Sequence, residues 1–300
     1  MSFSVSVVIP CYNEQDNIGS IYSKLTEVLA SYEQYELLFV DDGSSDLTLQ
    51  KIISLAETDI RIHYIAMSRN FGHQQALKAG LDHASGDCVI SLDADLQHPP
   101  SLIPELIEKW QQGYDVVNTI RGELKSLPLL KRITSGLFYK SINKLSSVEI
   151  NAGMADFRLL DRKVVDALKH FNENYLFLRG LIPWLGFNQT AVNFQPAERN
   201  SGTTKYRFSR MLKLGLDGVT SFSNKPLYLS IFIGSLIAAV AFLYGLYAVY
   251  IHFFTESALP GWTSITASVL FIGGIQLIML GIIGIYLGKL FIENKRRPNY

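Results

Sequence analysis

The sequence has only two cysteines, Cys11 and Cys88, and no surplus of either charge, because its 27 basic residues balance its 27 acidic residues. Two cysteines are too few for a disulfide scaffold or a cysteine-ligated zinc site. Both lie in apolar runs, which predicts buried, reduced thiols. A formal net charge of zero argues against a general nucleic-acid-binding protein, which would carry a basic excess.

Two common signatures of nucleotide binding are also missing. No Gly-x-Gly-x-x-Gly motif follows the first predicted strand, which disfavours a dinucleotide cofactor, and no Walker-type phosphate loop occurs anywhere in the sequence. The phosphates of any bound nucleotide must therefore be held by other groups.

Charge is nearly absent from one long region, since Glu256 is the only charged residue between Leu227 and Gly288. Two apolar blocks, about 227–254 and 265–291, fill this region. As helices each would extend about 40 Å, which exceeds the hydrocarbon core of about 30 Å. We predict a hairpin of two transmembrane helices; the alternative is a buried helical hairpin of a soluble protein.

Basic residues flank the predicted membrane region on both sides, and the loop between the two spans has no Lys or Arg. The positive-inside rule therefore places both termini in the cytoplasm, as in a multi-pass protein of the cytoplasmic membrane. We expect no signal peptide, because Met1–Pro10 is a short alternating run. The predicted regions are a cytoplasmic domain at 1–200, a juxtamembrane amphipathic segment at 201–226, the two spans within 227–292 and a cytoplasmic tail at 293–300.

The first part of the chain alternates short runs rich in Val, Ile and Leu with helical patterns. This alternation predicts an α/β fold with a doubly wound, mostly parallel sheet. Ligands of such sheets bind beyond the carboxyl ends of the strands. The predicted strands are Val5–Pro10, Glu36–Asp41, Ile62–Ser68, Asp87–Asp93 and Asp115–Ile120.

Polar residues follow the first, second and fourth of these strands, as Asn13-Glu14, Asp41-Asp42 and Asp93-Ala94-Asp95. The carboxylates of Asp93 and Asp95, two residues apart on a strand end, can point the same way. Together with a diphosphate they form an oxygen-rich site for Mg²⁺ or Mn²⁺, to which Gln97 adds a polar contact. The alternative is a solvated turn. His63, His73 and His98 lack the spacing of a metal motif and are predicted at surface or supporting positions.

Five motifs occur in order along the chain: Val8-Ile9-Pro10-Cys11-Tyr12-Asn13-Glu14, Val40-Asp41-Asp42-Gly43-Ser44, Arg69-Asn70-Phe71-Gly72, Gly86-Asp87 and Leu92-Asp93-Ala94-Asp95-Leu96-Gln97-His98-Pro99. Together they resemble the motifs of the family 2 inverting glycosyltransferases. Arg199-x-x-Gly202-x-Thr204-Lys205-Tyr206 further resembles the polyprenyl-phosphate branch, which includes bactoprenol glucosyltransferases and dolichol-phosphate mannose synthases, although Thr204 stands where Ser is usual. The Gln-x-x-Arg-Trp motif of processive synthases is absent.

This resemblance implies a GT-A-type nucleotide-sugar-binding domain with a metal held by Asp93, Asp95 and Gln97. Simple packing is the alternative role for Tyr12, and a helix N-terminal charge is the alternative role for Glu14. The residues implied for nucleotide-sugar binding are Pro10, Tyr12, Glu14, Val40, Asp42, Asp93, Ala94 and Gln97.

The resemblance also implies that Asp156 is the catalytic base, beside Asp95 as the second catalytic residue. A phosphate monoester has a second pKa near about 6, so it is largely a dianion at neutral pH and hardly needs to lose a proton. The alternative is therefore that Asp156 orients the acceptor or the sugar hydroxyls.

Two further stretches, 130–145 and 207–222, combine an apolar helical stripe with several Lys and Arg residues. Such helices beside a membrane span are typical of the membrane interface; ordinary packing against the domain is the alternative. Guanidinium groups suit bidentate phosphate contacts, so we expect basic residues to bind a lipid phosphate. The basic candidates are Arg121, Arg132, Arg199 and Lys205, and Ser135, one turn from Arg132, adds a hydroxyl.

The predicted reaction is the inverting transfer of a hexose, foremost glucose from UDP-glucose, to a polyprenyl phosphate such as undecaprenyl phosphate. By resemblance, the product supplies O-antigen modification after a flippase and a polymer-modifying glycosyltransferase act on it. The alternatives are another sugar (mannose from GDP-mannose, an N-acetylhexosamine or an aminoarabinose derivative), an inactive membrane scaffold or lipid carrier, and a soluble nucleotide-sugar-binding module. The glycine-lined spans also permit a homo-oligomer.

Overall fold

The computed structural model describes residues 3–122, 153–171, 173, 177–195, 225–254, 261–295 and 298. The strands within these ranges are β1 (Ser4–Cys11), β2 (Gln34–Asp41), β3 (Ile62–Ala66), β4 (Cys88–Ser91), β5 (Val116–Arg121), β6 (Met154–Asp161) and β7 (Gln189–Phe194). The α-helices are α1 (Ile18–Leu29), α2 (Thr48–Thr58), α3 (His73–His83), α4 (Ile103–Gln111), α5 (Arg162–Lys169), α6 (Leu178–Trp184), α7 (Lys225–Phe254) and α8 (Trp262–Asn294).

The strands form one sheet in the order β3-β2-β1-β4-β6-β5-β7. Strands β1 to β4 pair in parallel, and β5 pairs in parallel with β7, whereas β6 runs antiparallel to both of its neighbours. The prediction of a mostly parallel sheet is confirmed. All five predicted strands are present, while β6 and β7 were not predicted.

The sheet is covered on both faces, which explains why its central strands are nearly continuous apolar runs. In β1, Val7 and Ile9 pack with the helix α1, whose apolar stripe contains Ile18 and Leu25. Val8, which points to the other face, packs with α3, α5 and α6. The doubly wound arrangement is therefore confirmed, and both cysteines are buried and free, as predicted.

Two long apolar helices, α7 and α8, follow the sheet domain near the predicted blocks 227–254 and 265–291. Within the described residues, one segment, Phe271–Asn294, is long and apolar enough to cross a membrane, and Ser230–Tyr244 is a shorter apolar stretch. Their large apolar side chains are mostly exposed. The exposed apolar surface of α7 and α8 distinguishes this C-terminal region from the sheet domain, which has a buried apolar core.

Candidate active site

The loops after β1 and β2 are tied to each other at the carboxyl edge of the sheet. The backbone N–H of Asn13 donates to Ser44 Oγ at 3.0 Å, and Asn13 Oδ1 accepts from the backbone N–H of Ser45 at 2.9 Å. Asn13 has a positive φ of 56°, a conformation that Asn tolerates better than most residues. This linkage leaves Tyr12 about half exposed at the mouth of the site.

Three predicted nucleotide-site residues lie around this linkage. Pro10 and Val40 are buried and opposite each other in the β1–β2 register. Glu14 is half-buried, and its backbone N–H donates to Thr48 Oγ1 at 2.8 Å. The structure therefore brings the predicted residues of the first two motifs to one edge, where a nucleoside would find both apolar and acceptor groups.

Asp42 connects the same edge to the loop before α3. Its Oδ1 accepts from the backbone N–H of Phe71 at 2.7 Å, and its Oδ2 accepts from that of Gly72 at 3.0 Å. Burial raises the pKa of Asp42, and the two backbone hydrogen bonds oppose that shift. Asp42 thus anchors the 70–72 backbone beneath the site.

Gly43 lies in the loop after β2, where this loop approaches the backbone of Arg69 and Asn70. Its φ is +67°, and a Cβ there would overlap Arg69 C and lie 2.7 Å from Asn70 N, both backbone atoms. We expect Gly43→Ala to lower the free energy of unfolding by about 2–3 kcal/mol, since both the conformation and the space exclude a side chain. Chemical denaturation of the detergent-solubilised protein measures this change.

Gly19 provides the matched control, because it is helical, has ordinary φ, and a Cβ there would meet no atom within 4 Å. Gly19→Ala should stabilise the protein by about 0.5–1 kcal/mol. Equal stability of the Gly43 and Gly19 variants would contradict the close backbone approach.

The loop after β4 carries the two acidic residues predicted to bind metal. Ala94 is buried, whereas Asp93 and Asp95 on either side are partly exposed, and Asp95 Oδ1 accepts from the backbone N–H of Gln97 at 3.1 Å. Leu96 adopts a φ of 60°, which costs about 1–3 kcal/mol for such a residue and is typical of functional loops.

Arg121 and Gln97 are brought together at this loop. Arg121 Nη2 donates to Gln97 Oε1 at 3.0 Å, and the Arg121 side chain is exposed. Arg121, predicted to bind the lipid phosphate, therefore lies beside Gln97, which was predicted to bind the nucleotide sugar and the metal. The candidates Arg132, Ser135, Arg199 and Lys205, and the stretches 130–145 and 207–222, lie outside the described residues.

The donor set suits a divalent cation that is shared with a substrate. Across the described ranges, no three His, Cys, Asp or Glu side chains gather as a complete metal site. Mg²⁺ is commonly held by one or two carboxylates together with substrate phosphates and water, so Asp93 and Asp95 match its chemistry. The amide oxygen of Gln97, in contrast, is engaged by Arg121.

Two histidines approach Asp93. His73, the first residue of α3, places Nε2 3.5 Å from Asp93 Oδ1 and also 3.5 Å from Asp156 Oδ2. His98 Nδ1 lies 3.5 Å from Asp93 Oδ2, with its ring stacked on Phe157. Burial lowers the pKa of His73, but the charge of Asp93 and the hydrogen bond to Asp156 outweigh it and raise the pKa to about 9.

His63 lies apart from this cluster. Its Nε2 is 3.9 Å from Glu36 Oε2, and it belongs to the edge strand β3. The three histidines were predicted together at surface or supporting positions; His73 and His98 lie beside Asp93, and His63 lies at the edge of the sheet.

Asp156 reaches the same edge because β6 runs antiparallel, so the start of β6 lies beside the end of β4. Ser91, at the end of β4, donates its hydroxyl to the backbone oxygen of Asp156. The buried Asp156 carboxylate accepts from several side chains. These are Gln74 Nε2 at 3.3 Å, Arg158 Nη2 at 3.0 Å, Arg179 Nε at 2.9 Å and Arg179 Nη2 at 2.8 Å.

These partners determine the protonation of Asp156. Burial by itself raises the pKa of the carboxyl, but the His73 hydrogen bond and the nearby Arg179 charge hold the pKa well below its usual range. A carboxylate with so many donors is a weak proton acceptor. Sequence reasoning missed Gln74, Arg158 and Arg179; Gln74 has only the weak signal that it closely follows the Arg69–Gly72 motif.

The mostly parallel α/β sheet, with aspartates at its carboxyl edge, has the GT-A-like architecture of glycosyltransferases. The solved mannosyltransferase PcManGT from Pyrobaculum calidifontis, in complex with GDP-Man and Mn²⁺, has this fold. It aligns with a TM-score of 0.54 at 18% identity, over 98% of this chain and 87% of its own.

The chain belongs to glycosyl transferase family 2, whose family model matches residues 6–169. It is 44% identical to the uncharacterized glycosyltransferase YkcC of Bacillus subtilis, over 98% of this chain and 92% of that protein. It is also 41% identical to the bactoprenol glucosyl transferase of Shigella phage SfV, over 99% of this chain and 97% of that protein.

Proposed function

We propose that the protein transfers one hexose, foremost glucose from UDP-glucose, to a polyprenyl phosphate such as undecaprenyl phosphate, with inversion at the anomeric carbon. The observation that carries this proposal is the juxtaposition of Asp93 and Asp156, which both contact His73 Nε2 at 3.5 Å. Relatives named bactoprenol glucosyl transferase support the acceptor class and the sugar.

On the donor side, we assign the nucleoside to the edge formed by Tyr12, Glu14 and Asp42. The half-exposed ring of Tyr12 offers a stacking surface, and carboxylates accept hydrogen bonds from ribose and base. Asp93 and Asp95 would hold a divalent cation, which when bound neutralises the charge that develops on the departing diphosphate. Solved neighbours that contain Mn²⁺ or Mg²⁺ support this assignment.

On the acceptor side, we assign Arg121 and the predicted ligands Arg132, Ser135, Arg199 and Lys205 to the lipid phosphate. The second pKa of the acceptor phosphate is about 6, so at neutral pH it is mostly a dianion and already a nucleophile. Asp156 is held by the side chains of His73, Gln74, Arg158 and Arg179, and its pKa is depressed. These contacts favour an orienting role for Asp156 over that of a general base.

The lipid acceptor places the reaction at a membrane. We infer that α7 and α8 are the two predicted spans, with the sheet domain and both termini in the cytoplasm, and that the regions 1–200, 201–226, 227–292 and 293–300 have the predicted roles. The 24 residues of Phe271–Asn294 support the second span by length and composition. The lipid-linked product would then supply cell-surface polysaccharide modification, such as that of an O-antigen, after a flippase and a further glycosyltransferase act on it.

A donor panel tests this function. Membranes that contain the protein, given a polyprenyl phosphate and labelled UDP-glucose, should form a lipid-linked sugar. EDTA should lower the rate by about a hundredfold or more, and Mg²⁺ or Mn²⁺ should restore it, since the cation stabilises the leaving group. Thin-layer chromatography of the lipid extract measures the product.

Comparison of the donors separates the alternatives. A product from GDP-mannose or a UDP-N-acetylhexosamine, but not from UDP-glucose, would keep the reaction class and correct the sugar. No product with any donor would favour the inactive scaffold or lipid carrier. Recovery of the protein in the soluble fraction without detergent would instead favour a soluble nucleotide-sugar-binding module.

A further inference from the structure

Arg179, the second residue of α6, makes the most extensive contact with the Asp156 carboxylate. Its Nε donates to Oδ1 at 2.9 Å and its Nη2 to Oδ2 at 2.8 Å, which is a bidentate pair. The Asp156 side chain is 5% exposed, whereas that of Arg179 is 32% exposed. The Arg179 side chain is therefore partly accessible to solvent, whereas the carboxylate that anchors it is buried.

Asp156 keeps a second cationic partner that cannot leave it. Arg158 is 1% exposed, and its Nη2 donates both to Asp156 Oδ1 and to the backbone oxygen of Ala155. Because Arg158 compensates the buried carboxylate, Asp156 stays neutralised when Arg179 also engages an anion. A guanidinium carries five N–H donors in a planar fork, so it can serve a carboxylate on one edge and a phosphate on another.

Gln74 fixes the backbone beside Arg179. Its Nε2 donates to Asp156 Oδ2 at 3.3 Å, and its Oε1 accepts from the backbone N–H of Leu178 at 3.1 Å. The Gln74 side chain thus links the Asp156 carboxylate to the backbone at the start of α6. The direction of the Arg179 guanidinium is set in advance, which reduces the entropy lost when it binds a ligand.

Arg179 also lies on the acceptor side of the site as we have assigned it. Its partner Asp156 is linked to Asp93 through His73, whose Nε2 lies 3.5 Å from each carboxylate. A diphosphate on the Asp93 side and a phosphate on the Asp156 side would flank one sugar. We assign the two phosphate groups to opposite faces of the sugar, because inversion requires attack opposite the leaving group.

We propose that Arg179 binds the phosphate of the lipid acceptor, and that Asp156 is a positioning residue that holds the Arg179 guanidinium for this contact. This inference rests on the proposed function and extends it to a residue that no motif indicates. The phosphate dianion attacks the anomeric carbon, the new C–O bond forms as the bond to the diphosphate breaks, and no proton passes to Asp156.

Steady-state kinetics with farnesyl phosphate, a short prenyl phosphate, tests the proposal. Arg179→Gln should raise the KM for farnesyl phosphate by about tenfold to a hundredfold, the range for loss of charge-assisted hydrogen bonds, with the KM for UDP-glucose changed less than about twofold. Arg179→Lys, which keeps the charge but not the fork, should give an intermediate KM.

Arg61 offers a matched control. Its Nε and Nη2 donate to the two oxygens of Asp59 at 2.8 and 2.7 Å, in the same bidentate geometry, just before the edge strand β3. Arg61→Gln should leave both KM values unchanged. Direct binding of farnesyl phosphate, measured by calorimetry without a donor, should weaken for Arg179→Gln but not for Arg61→Gln.

The outcomes distinguish the role of Arg179 from the proposed function of the protein. A fall in kcat with both KM values and farnesyl phosphate affinity unchanged would overturn the contact and leave Arg179 a structural role. A rise confined to the UDP-glucose KM would assign Arg179 to the donor instead. If the wild-type protein forms no product with any donor, the proposed function fails, while the binding comparison still decides the role of Arg179.

Discussion

Asp95→Asn is expected to lower kcat/KM for sugar transfer by about a thousandfold or more, the largest effect of any single change considered. If Asp95 holds the divalent cation as proposed, loss of its carboxylate would remove a ligand and with it the stabilisation of the charge that develops on the diphosphate. The variant should also lose metal-dependent affinity for UDP. Activity assays and calorimetric titration of UDP with Mn²⁺ measure the two effects.

Asp87→Asn is the matched control for this change. Asp87 immediately precedes β4, at the end of the strand opposite Asp95, where its carboxylate accepts from the backbone N–H and hydroxyl of Ser4 at 2.8 and 2.9 Å. Like Asp95→Asn, the Asp87→Asn substitution removes one negative charge from this part of the chain. We expect its activity to stay within about twofold of wild type. Normal metal-dependent UDP affinity in Asp95→Asn would refute the metal assignment.

Asp156→Asn should lower kcat/KM by about a hundredfold or more and also destabilise the protein by about 3–5 kcal/mol. The substitution leaves Arg158 buried without a compensating charge, which is costly, and releases Arg179 from its bidentate anchor. Because the folded-state pKa of Asp156 lies below the unfolded value of about 3.9, its contribution to folding is present above that pH and is lost as the pH falls below it.

The pH dependence of the rate distinguishes the two roles of Asp156. Because its pKa is depressed, Asp156 is ionised throughout the neutral range. The acid limb of the pH–rate profile should therefore reflect protonation of the acceptor phosphate, at about pH 6. The limb should therefore persist in Asp156→Asn at a lower rate. Loss of that limb, with a large drop at about pH 6 that is restored at high pH, would establish a general base instead.

The central part of the fold could be predicted because its determinants are local. Strands such as Val5–Pro10 and Glu36–Asp41 are short apolar runs that end in polar residues, and the observed strands Ser4–Cys11 and Gln34–Asp41 differ by few positions. Parallel strands bring their carboxyl ends to one edge, so Asp42 and Asp93 could be placed together before any coordinates.

β6 and the carboxylate network could not be predicted in the same way. Met154–Asp161 carries Asp156 and Arg158 at buried positions, so its pattern lacks the continuous apolar run of the other central strands. The network joins residues far apart in the chain, such as Gln74 with Asp156. Nothing local to Arg179 marks it, because its partner is brought to it only when β6 enters the sheet antiparallel.

The reversed strand β6 also closes the connection that follows β5. The backbone N–H of Arg121 donates to the backbone oxygen of Gly153 at 2.9 Å, so the chain leaves β5 and re-enters before β6 at one closed point. The cost of closing a loop grows only slowly with its length. A change in the length of the chain between these two residues should therefore cost the sheet and its aspartates little stability.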